Sequence, residues 1–403
     1  MSLIVQKFGG TSVGSLERIR EVAKRVAQTR AQGHQVIVVV SAIAGETNRL
    51  LALGRELSAR PNEREMDVLV ATGEQVSASL TALALIEIGV PACSLLGHQA
   101  RIVTDHVHTK ARIEKIECDR LHEALKQGSV PVVAGFQGID HEGNITTLGR
   151  GGTDTTAVAI AAAVQADICE IYTDVDGVYT TDPNVCPSAR KIGRISYDEM
   201  LELASLGAKV LQLRSVELAM KYGVPVHVRS SFNSSEGTMV IDDKSLESVV
   251  VSGVAADKSE VKLTVRGLHD QPGVVAQLFE ALAERAISVD MIIQNISEQG
   301  TTDLTFTVKR DDLDKTHEIT SQVASGMGAR QVLVDQEIAK ISVVGLGMRS
   351  HAGVASRMFR ILAARGINIE AISTSEIKIS CIIRQSSADD AVRALHEGFA
   401  LGG

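Results

Sequence analysis

Hydrophobic positions along the first two-thirds of the chain fall into short β-branched runs separated by longer stretches of helical period. Residues 3–7 and 36–41 are apolar runs too short for helices, and 16–32 between them repeats its apolar positions with the period of an amphipathic helix. The same reading predicts strands at 130–136, 168–173 and 226–228, and helices at 65–88, 155–164, 197–204 and 208–222. Strands that alternate with helices predict an α/β fold around a parallel or mixed sheet. Ligands of such sheets collect beyond the carboxyl ends of the strands.

After about residue 233 the pattern changes. A polar connection leads into an internal repeat with a constant offset of 80 residues. Gly267, Gly273, Val274, Phe279, Leu282, Ala283, Arg285, Ile287 and Ile292 recur as Gly347, Gly353, Val354, Phe359, Leu362, Ala363, Arg365, Ile367 and Ile372. Each copy reads as strand (261–265; 341–344), glycine-containing loop, helix (274–286; 354–365) and strand (288–293; 368–373), with a closing strand-and-helix half expected after each. That is a βαββαβ module present twice. The boundaries expected are 1–235, a connection at 236–260, and modules at 261–338 and 339–403. The apolar run 249–254 fits either module's sheet, so strand exchange between the two stays open.

Composition narrows the function. Hydrophobic residues make up 44% of the 403, yet aromatics are 3% and tryptophan is absent, so Val, Ile, Leu and Ala must build the cores. A net charge of −8 and the lack of any basic tract with interleaved aromatics argue against a nucleic-acid partner. Five scattered cysteines without a Cys-x-x-Cys read as buried free thiols. No signal-peptide pattern is visible and no apolar run was expected to reach the roughly 20 residues that span a bilayer. A cytoplasmic protein with no membrane partner is the expectation.

The densest chemistry lies in Leu148-Gly149-Arg150-Gly151-Gly152-Thr153-Asp154-Thr155-Thr156, which runs into an alanine-rich helix. Glycines let backbone N–H groups close on an anion, the helix start adds partial positive charge, and Arg150 can grip a carboxylate or phosphate with two hydrogen bonds. Asp154 fits only if a cationic group shares the site, which points to a zwitterion beside a phosphate. Lys7-Phe8-Gly9-Gly10-Thr11-Ser12, at a strand end, suits a phosphate although it is not a P-loop. The stretch from Ser41 to Asn48 closes a buried strand in small and polar residues and reads equally well as a plain loop. Glu74, among apolar neighbours, reads either as a surface glutamate or as a partner for a substrate ammonium. The acidic run Tyr172 to Pro183 lacks calcium-loop spacing and is better read as a nucleotide-edge loop containing Tyr179. Lys209 could reach a phosphate from a helix start. His106 and His108 have no third metal ligand in range, and no metal-binding set is expected on the protein.

Together, Lys7-Phe8-Gly9-Gly10-Thr11-Ser12, Gly149-Arg150-Gly151-Gly152-Thr153-Asp154 and Tyr172-Thr173-Asp174-Val175-Asp176-Gly177-Val178-Tyr179 resemble the aspartate kinases, and the C-terminal repeat resembles their paired ACT modules. The resemblance spans essentially the whole chain. It implies a three-layer αβα amino-acid kinase domain followed by two ferredoxin-like ACT domains, and the monofunctional form of the enzyme. The implied reaction moves the γ-phosphoryl of ATP to the β-carboxylate of L-aspartate, the entry to lysine, threonine and methionine synthesis by way of diaminopimelate. By residue, it implies that Lys7, with the N–H groups of Gly9 and Gly10, neutralises the transferring phosphoryl, and that Asp154 organises the centre. Thr47, Glu74, Arg150, Gly151, Gly152 and Thr153 would hold aspartate. Phe8, Ser41, Thr173, Asp174, Tyr179, Asp182 and Lys209 would line the nucleotide site, with Mg²⁺ carried in by ATP.

The ACT resemblance implies feedback by lysine, threonine or both. In the first module the loop Asp270, Gln271, Pro272, Gly273 and Val274 faces Asp290, Met291, Ile292, Gln294 and Asn295. The second departs from it, with Ser350, Ala352 and Glu370 replacing Asp270, Pro272 and Asp290, and leaves Asn368, Ile369, Thr374 and Ser375 as contacts. ACT modules that pair across chains imply a homodimer or larger homo-oligomer, or an assembly with a separately made regulatory chain. Two rivals stand beside this reading: a kinase of the same fold acting on N-acetylglutamate, glutamate or uridylate, and an amino-acid sensor with a dead kinase domain.

Overall fold

The computed structural model describes residues 1–205, 210–242, 251–296, 300–345, 348 and 353–402. They form two compact units, Met1–Val178 with Lys191–Leu246, and Tyr179–Arg190 with Glu247–Gly403.

The first unit begins with Leu3–Phe8 (β1), Leu16–Ala31 (α1), Gln35–Val40 (β2), Glu46–Leu57 (α2) and Glu63–Glu87 (α3). The hydroxyl of Ser15 caps α1 by accepting from the Arg18 N–H, and Asn62 caps α3 by accepting from that of Glu65. Next come Ala92–Leu95 (β3), Ile102–Thr104 (β4), Ile113–Ile116 (β5), Asp119–Lys126 (α4), Val130–Ala134 (β6), Gln137–Ile139 (β7) and Ile145–Thr147 (β8). Then follow Gly152–Ala163 (α5), Ile168–Thr173 (β9), Val178–Tyr179 (β10), Lys191–Ile192 (β11), Arg194–Ser196 (β12), Tyr197–Ser205 (α6), Leu213–Tyr222 (α7), Val226–Ser230 (β13) and Thr238–Ile241 (β14). The main sheet has the order β12-β14-β13-β9-β1-β2-β6-β3, parallel except where β13 meets β14. β2 is buried from Val36 onward, as an unbroken Val/Ile run between helix layers requires. A smaller sheet, β5-β4-β7-β8, is built from strands too short for their sequence pattern to announce.

Two expectations change here. β14 lies in the stretch read as a connection and pairs with β13 and β12, so the main sheet extends past residue 235. α3 is long and apolar enough, by length and composition, to cross a membrane, which the sequence reading had overlooked. Half of that apolar window is buried inside the protein, and the buried face holds Asp67 and Glu74, so the helix packs as a core element.

The second unit contains Gly253–Asp257 (β15), Glu260–His269 (β16), Val274–Ala283 (α8), Val289–Ile296 (β17), Thr301–Lys309 (β18), Leu313–Gly326 (α9) and Gln331–Asp335 (β19). Ile338–Val344 (β20), Val354–Ala364 (α10), Ala371–Thr374 (β21), Lys378–Arg384 (β22) and Ala388–Gly398 (α11) complete it. The first module's sheet is ordered β17-β18-β16-β19, and the second's β21-β22-β20-β15. In the second module the outer place beside the first strand is therefore filled by β15, antiparallel to β20, instead of by a closing strand of its own. The first module is thus inserted, in sequence, between the strands of the second. Each sheet covers a separate apolar core, one centred on Leu263, Leu278 and Phe306, the other on Ile341, Met358 and Leu395.

Candidate active site

β1, β2, β6, β9 and β13 run parallel, so their carboxyl ends reach one edge of the sheet. Lys7, next to last in β1, sits between Val39 and Ile171 of its neighbours and projects from the middle of that edge. Its Nζ lies 2.6 Å from Oδ1 of Asp154, and both side chains are about nine-tenths buried. Asp154 occupies the first turn of α5, which follows a left-handed Gly151 and has no side-chain cap. Its Oδ1 has this ion pair but no well-directed hydrogen bond. A lysine, a carboxylate and an uncapped helix start in one low-dielectric corner make a place where anionic charge is handled.

Glycines set the approach. A Cβ on Gly151 would lie 1.7 Å from Cγ of Gln212 at a φ of +71°, and one on Gly135, just beyond β6, would lie 2.6 Å from Cγ2 of Thr153. Gly135 is a site residue the sequence reading missed; its signal was a glycine directly after a buried strand. The Gly9 N–H is spent on the Tyr172 carbonyl at 3.1 Å, so it does not offer the free donor expected of it. The Gly10 N–H makes no hydrogen bond among the described residues and stays available. Phe8 was expected near the nucleotide, but its ring is buried, stacked on Tyr172 at 4.8 Å, and its carbonyl accepts from the Ser41 N–H. It supports the edge from within the core.

Glu74 settles as a buried residue, 3% exposed, projecting from α3. Its Oε1 accepts from the Ala42 N–H at 3.0 Å while Oε2 is buried without a partner. Burial pushes its carboxyl up to about 7, the Ala42 N–H opposing this. Thr47 is half-buried in the first turn of α2, after a left-handed Gly45. Arg150 is exposed between two glycines of positive φ, has no ion pair among the described residues, and lines an open cleft of about 460 Å³ with Asn48, Leu51, Ala52, Arg55 and Glu56. At the end of β9, the Thr173 hydroxyl donates to the exposed Asp174 carboxylate at 3.2 Å, and the Ser231 N–H donates to the Thr173 carbonyl. Ser12 and Ser231 share a 2.5 Å hydrogen bond beneath this edge.

Three further nucleotide expectations lie outside the residues described so far. Tyr179 and Asp182 belong to the second unit, where the Asp182 carboxylate is occupied by the N–H and Nδ2 of Asn184. Lys209 lies outside the described residues. Among the described residues no group of three or more His, Cys, Asp or Glu could hold a metal ion.

In the second unit, Asp270, Gln271 and Pro272 form an exposed loop before Gly273, whose φ of +95° starts α8 at Val274. Ile292, Gln294 and Asn295 are exposed and Met291 is buried. Asp290 is committed: its carboxylate pairs with the buried Lys340, whose Nζ also lies 2.8 Å from Oε1 of Glu260. Its repeat counterpart Glu370 pairs with Lys262 and Arg384. Neither carboxylate is left over for an effector ammonium, whereas the Asp270 side chain has no ion pair among the described residues. In the second module Asn368 and Thr374 are exposed, Ile369 packs on the core, and the Ser375 hydroxyl is taken by the N–H groups of Ile377 and Lys378.

Fold and site together define an α/β protein whose parallel-sheet edge carries a buried lysine–carboxylate pair beside an uncapped helix start. The sequence model of the amino acid kinase family matches residues 2–230, and that of an ACT domain matches 261–322 and 341–399. The aspartokinase of Pseudomonas aeruginosa is 56% identical over 404 residues, covering 100% of this chain and 98% of its own. Escherichia coli aspartokinase III in complex with aspartate and ADP, in its R-state, superposes with a TM-score of 0.84 at 27% identity, covering 98% of this chain and 99% of that one. The T-state of the same enzyme, with lysine and aspartate, gives 0.75 at 27% identity, with the same coverage. The chain belongs to the amino acid kinase family and, within it, to the aspartokinases.

Proposed function

We propose that the edge around Lys7 and Asp154 transfers the γ-phosphoryl of MgATP to the β-carboxylate of L-aspartate, giving ADP and 4-phospho-L-aspartate. The buried Lys7–Asp154 pair carries this reading. Phosphoryl transfer asks for in-line positioning and charge neutralisation, with little covalent help from the protein. An ammonium nine-tenths buried at a sheet edge supplies a fixed positive charge where equatorial phosphoryl oxygens gather negative charge. Asp154 holds that ammonium in place before the nucleotide arrives. It need not act as a base, because the acceptor carboxylate is already ionised at neutral pH.

Aspartate is oriented by its other two charges. The unpartnered Glu74 Oε2 suits the α-ammonium, and Arg150, without an ion pair among the described residues, suits the α-carboxylate. Thr47, Thr153 and the Gly151–Gly152 backbone close around it. Ser41, Thr173 and Asp174 line the nucleotide side, with Lys209, Tyr179 and Asp182 as further candidates. Mg²⁺ enters as part of the nucleotide substrate. Lysine, threonine or both are the proposed effectors, acting through the ACT modules of a homodimer, a larger homo-oligomer or an assembly with a separately made regulatory chain in the cytoplasm. Lysine is the ligand named in the E. coli T-state complex.

Trapping the acyl phosphate with hydroxylamine tests the acceptor. Aspartyl hydroxamate should form only with ATP and L-aspartate together. Product from glutamate or N-acetylglutamate in its place would favour another kinase of this fold, and none from any acceptor would favour the sensor.

A further inference from the structure

Beneath the glycine-rich turn lies a buried carboxylate outside the set proposed to hold phosphate and aspartate. Asp67, on α3, is fully buried and accepts four hydrogen bonds. The Thr109 N–H donates to both of its oxygens, at 3.1 and 3.0 Å, the Thr147 hydroxyl at 2.5 Å and His108 Nδ1–H at 2.8 Å. These donors come from two segments that meet under Arg150. Thr147 ends β8, three residues before Arg150, and its carbonyl accepts from the Ala111 N–H at 2.9 Å. Thr109 holds a φ of +65°, a left-handed conformation that costs a β-branched residue free energy and persists only where its surroundings enforce it.

The Thr109 carbonyl lies 3.0 Å from where a Cβ on Gly149 would stand, so the Gly149 backbone rests directly on it. Arg214 joins the same two segments from another side, donating to the carbonyls of Leu148 at 2.6 Å and Ala111 at 2.9 Å. Arg150 itself is exposed and has no side-chain partner among the described residues that would fix it. Its direction is therefore set by the backbone under it, and that backbone is tied to Asp67.

We propose that Asp67 is a positioning residue for aspartate recognition, holding the 107–111 and 147–149 segments so that Arg150 meets the substrate α-carboxylate. The inference rests on the reading that Arg150 binds that carboxylate. A buried carboxylate whose two oxygens are held by three donor groups is stiff, whereas Asp67→Asn turns one acceptor oxygen into a donor facing N–H and O–H groups.

Steady-state kinetics of the full chain separate the possibilities. Asp67→Asn is expected to raise KM for aspartate by about tenfold or more, with kcat and KM for ATP within about twofold of the parent, as for a group acting on substrate placement alone. Should Asp67→Asn fail to fold, Thr147→Val and Thr147→Ser decide. The valine should raise KM for aspartate severalfold and the serine, which keeps the hydroxyl, should restore it. An unchanged KM for aspartate in the folded variants, or an equal rise in KM for ATP, overturns the proposal. Arg150→Ala is the control for its premise. If that variant leaves KM for aspartate unchanged, the assignment of Arg150 fails instead.

Discussion

Glu74 shows how one side chain carries both a stability term and a binding term. Its carboxyl titrates near 7 in the fold against 4.5 for the ordinary group, because burial disfavours the charged form. Between those values the folded chain holds a proton that the unfolded chain has lost, so stability falls as pH rises through this window. An ammonium bound at Oε2 reverses the preference by favouring the carboxylate. KM for aspartate should accordingly fall as pH rises through about 7. Glu74→Gln should flatten that pH profile, raise KM at pH 8, and make the ligand-free protein more heat-stable there than the parent. A parallel pH profile in the variant would show that Glu74 does not meet the ammonium. In the sequence this residue was ambiguous, since apolar neighbours on a long helix suit both a snorkelling surface glutamate and a buried one. Only the approach of α3 to the end of β2, which brings the Ala42 N–H to Oε1, decides it. Lys7, Arg150 and Asp154 were legible for the opposite reason: each lies inside a glycine-rich run where a charged residue has little structural purpose.

At the scale of elements, strands were readable where they were long and apolar. β2, β6 and β9 announce themselves, whereas β4, β7 and β8 have three residues each and no period to detect. Those small strands nonetheless fix the segment leading to Arg150. The repeat revealed two modules but not which strand closes the second, because β15 fits either sheet by pattern and pairing alone assigns it. The acids of two ion pairs follow the repeat, since Asp290 and Glu370 are related by its offset, but the lysines they hold, Lys340 and Lys262, are not. Lys340 is the buried one. Lys340→Met would leave Glu260, 1% exposed, with the more distant Lys309 ammonium at 3.6 Å as its cationic neighbour among the described residues. Removing one partner of a buried pair costs about 3–5 kcal/mol. Denaturant unfolding of the full chain should show a loss of that order, and a loss below about 1 kcal/mol, the range of exposed pairs, would mean that the pair is solvated.

For the molecule as a whole, most of the amino acid kinase match lies in one compact unit and the ACT match in the other. Two similar but unequal modules predict cooperative inhibition by lysine, threonine or both, through a shift between active and inhibited populations. Asp270 is a loop carboxylate without an ion pair among the described residues. Asp270→Ala should raise the half-inhibitory effector concentration by about tenfold, equivalent to about 1.4 kcal/mol, while leaving uninhibited kcat in place. Activity that stays flat in millimolar lysine and threonine would remove the effector assignment, and sigmoidal inhibition unaffected by Asp270→Ala would move the site elsewhere.

The central claim is that the Lys7–Asp154 pair is where the phosphoryl group moves. Hydroxamate formation from ATP and L-aspartate should be compared across the parent, Lys7→Ala and Asp154→Asn, with circular dichroism verifying that each variant folds. Loss of a preorganised charge at the transferring group should cost about 10²–10³ in kcat for Lys7→Ala, with a smaller but clear loss for Asp154→Asn. Folded variants that turn over aspartate at the parental rate would contradict the account.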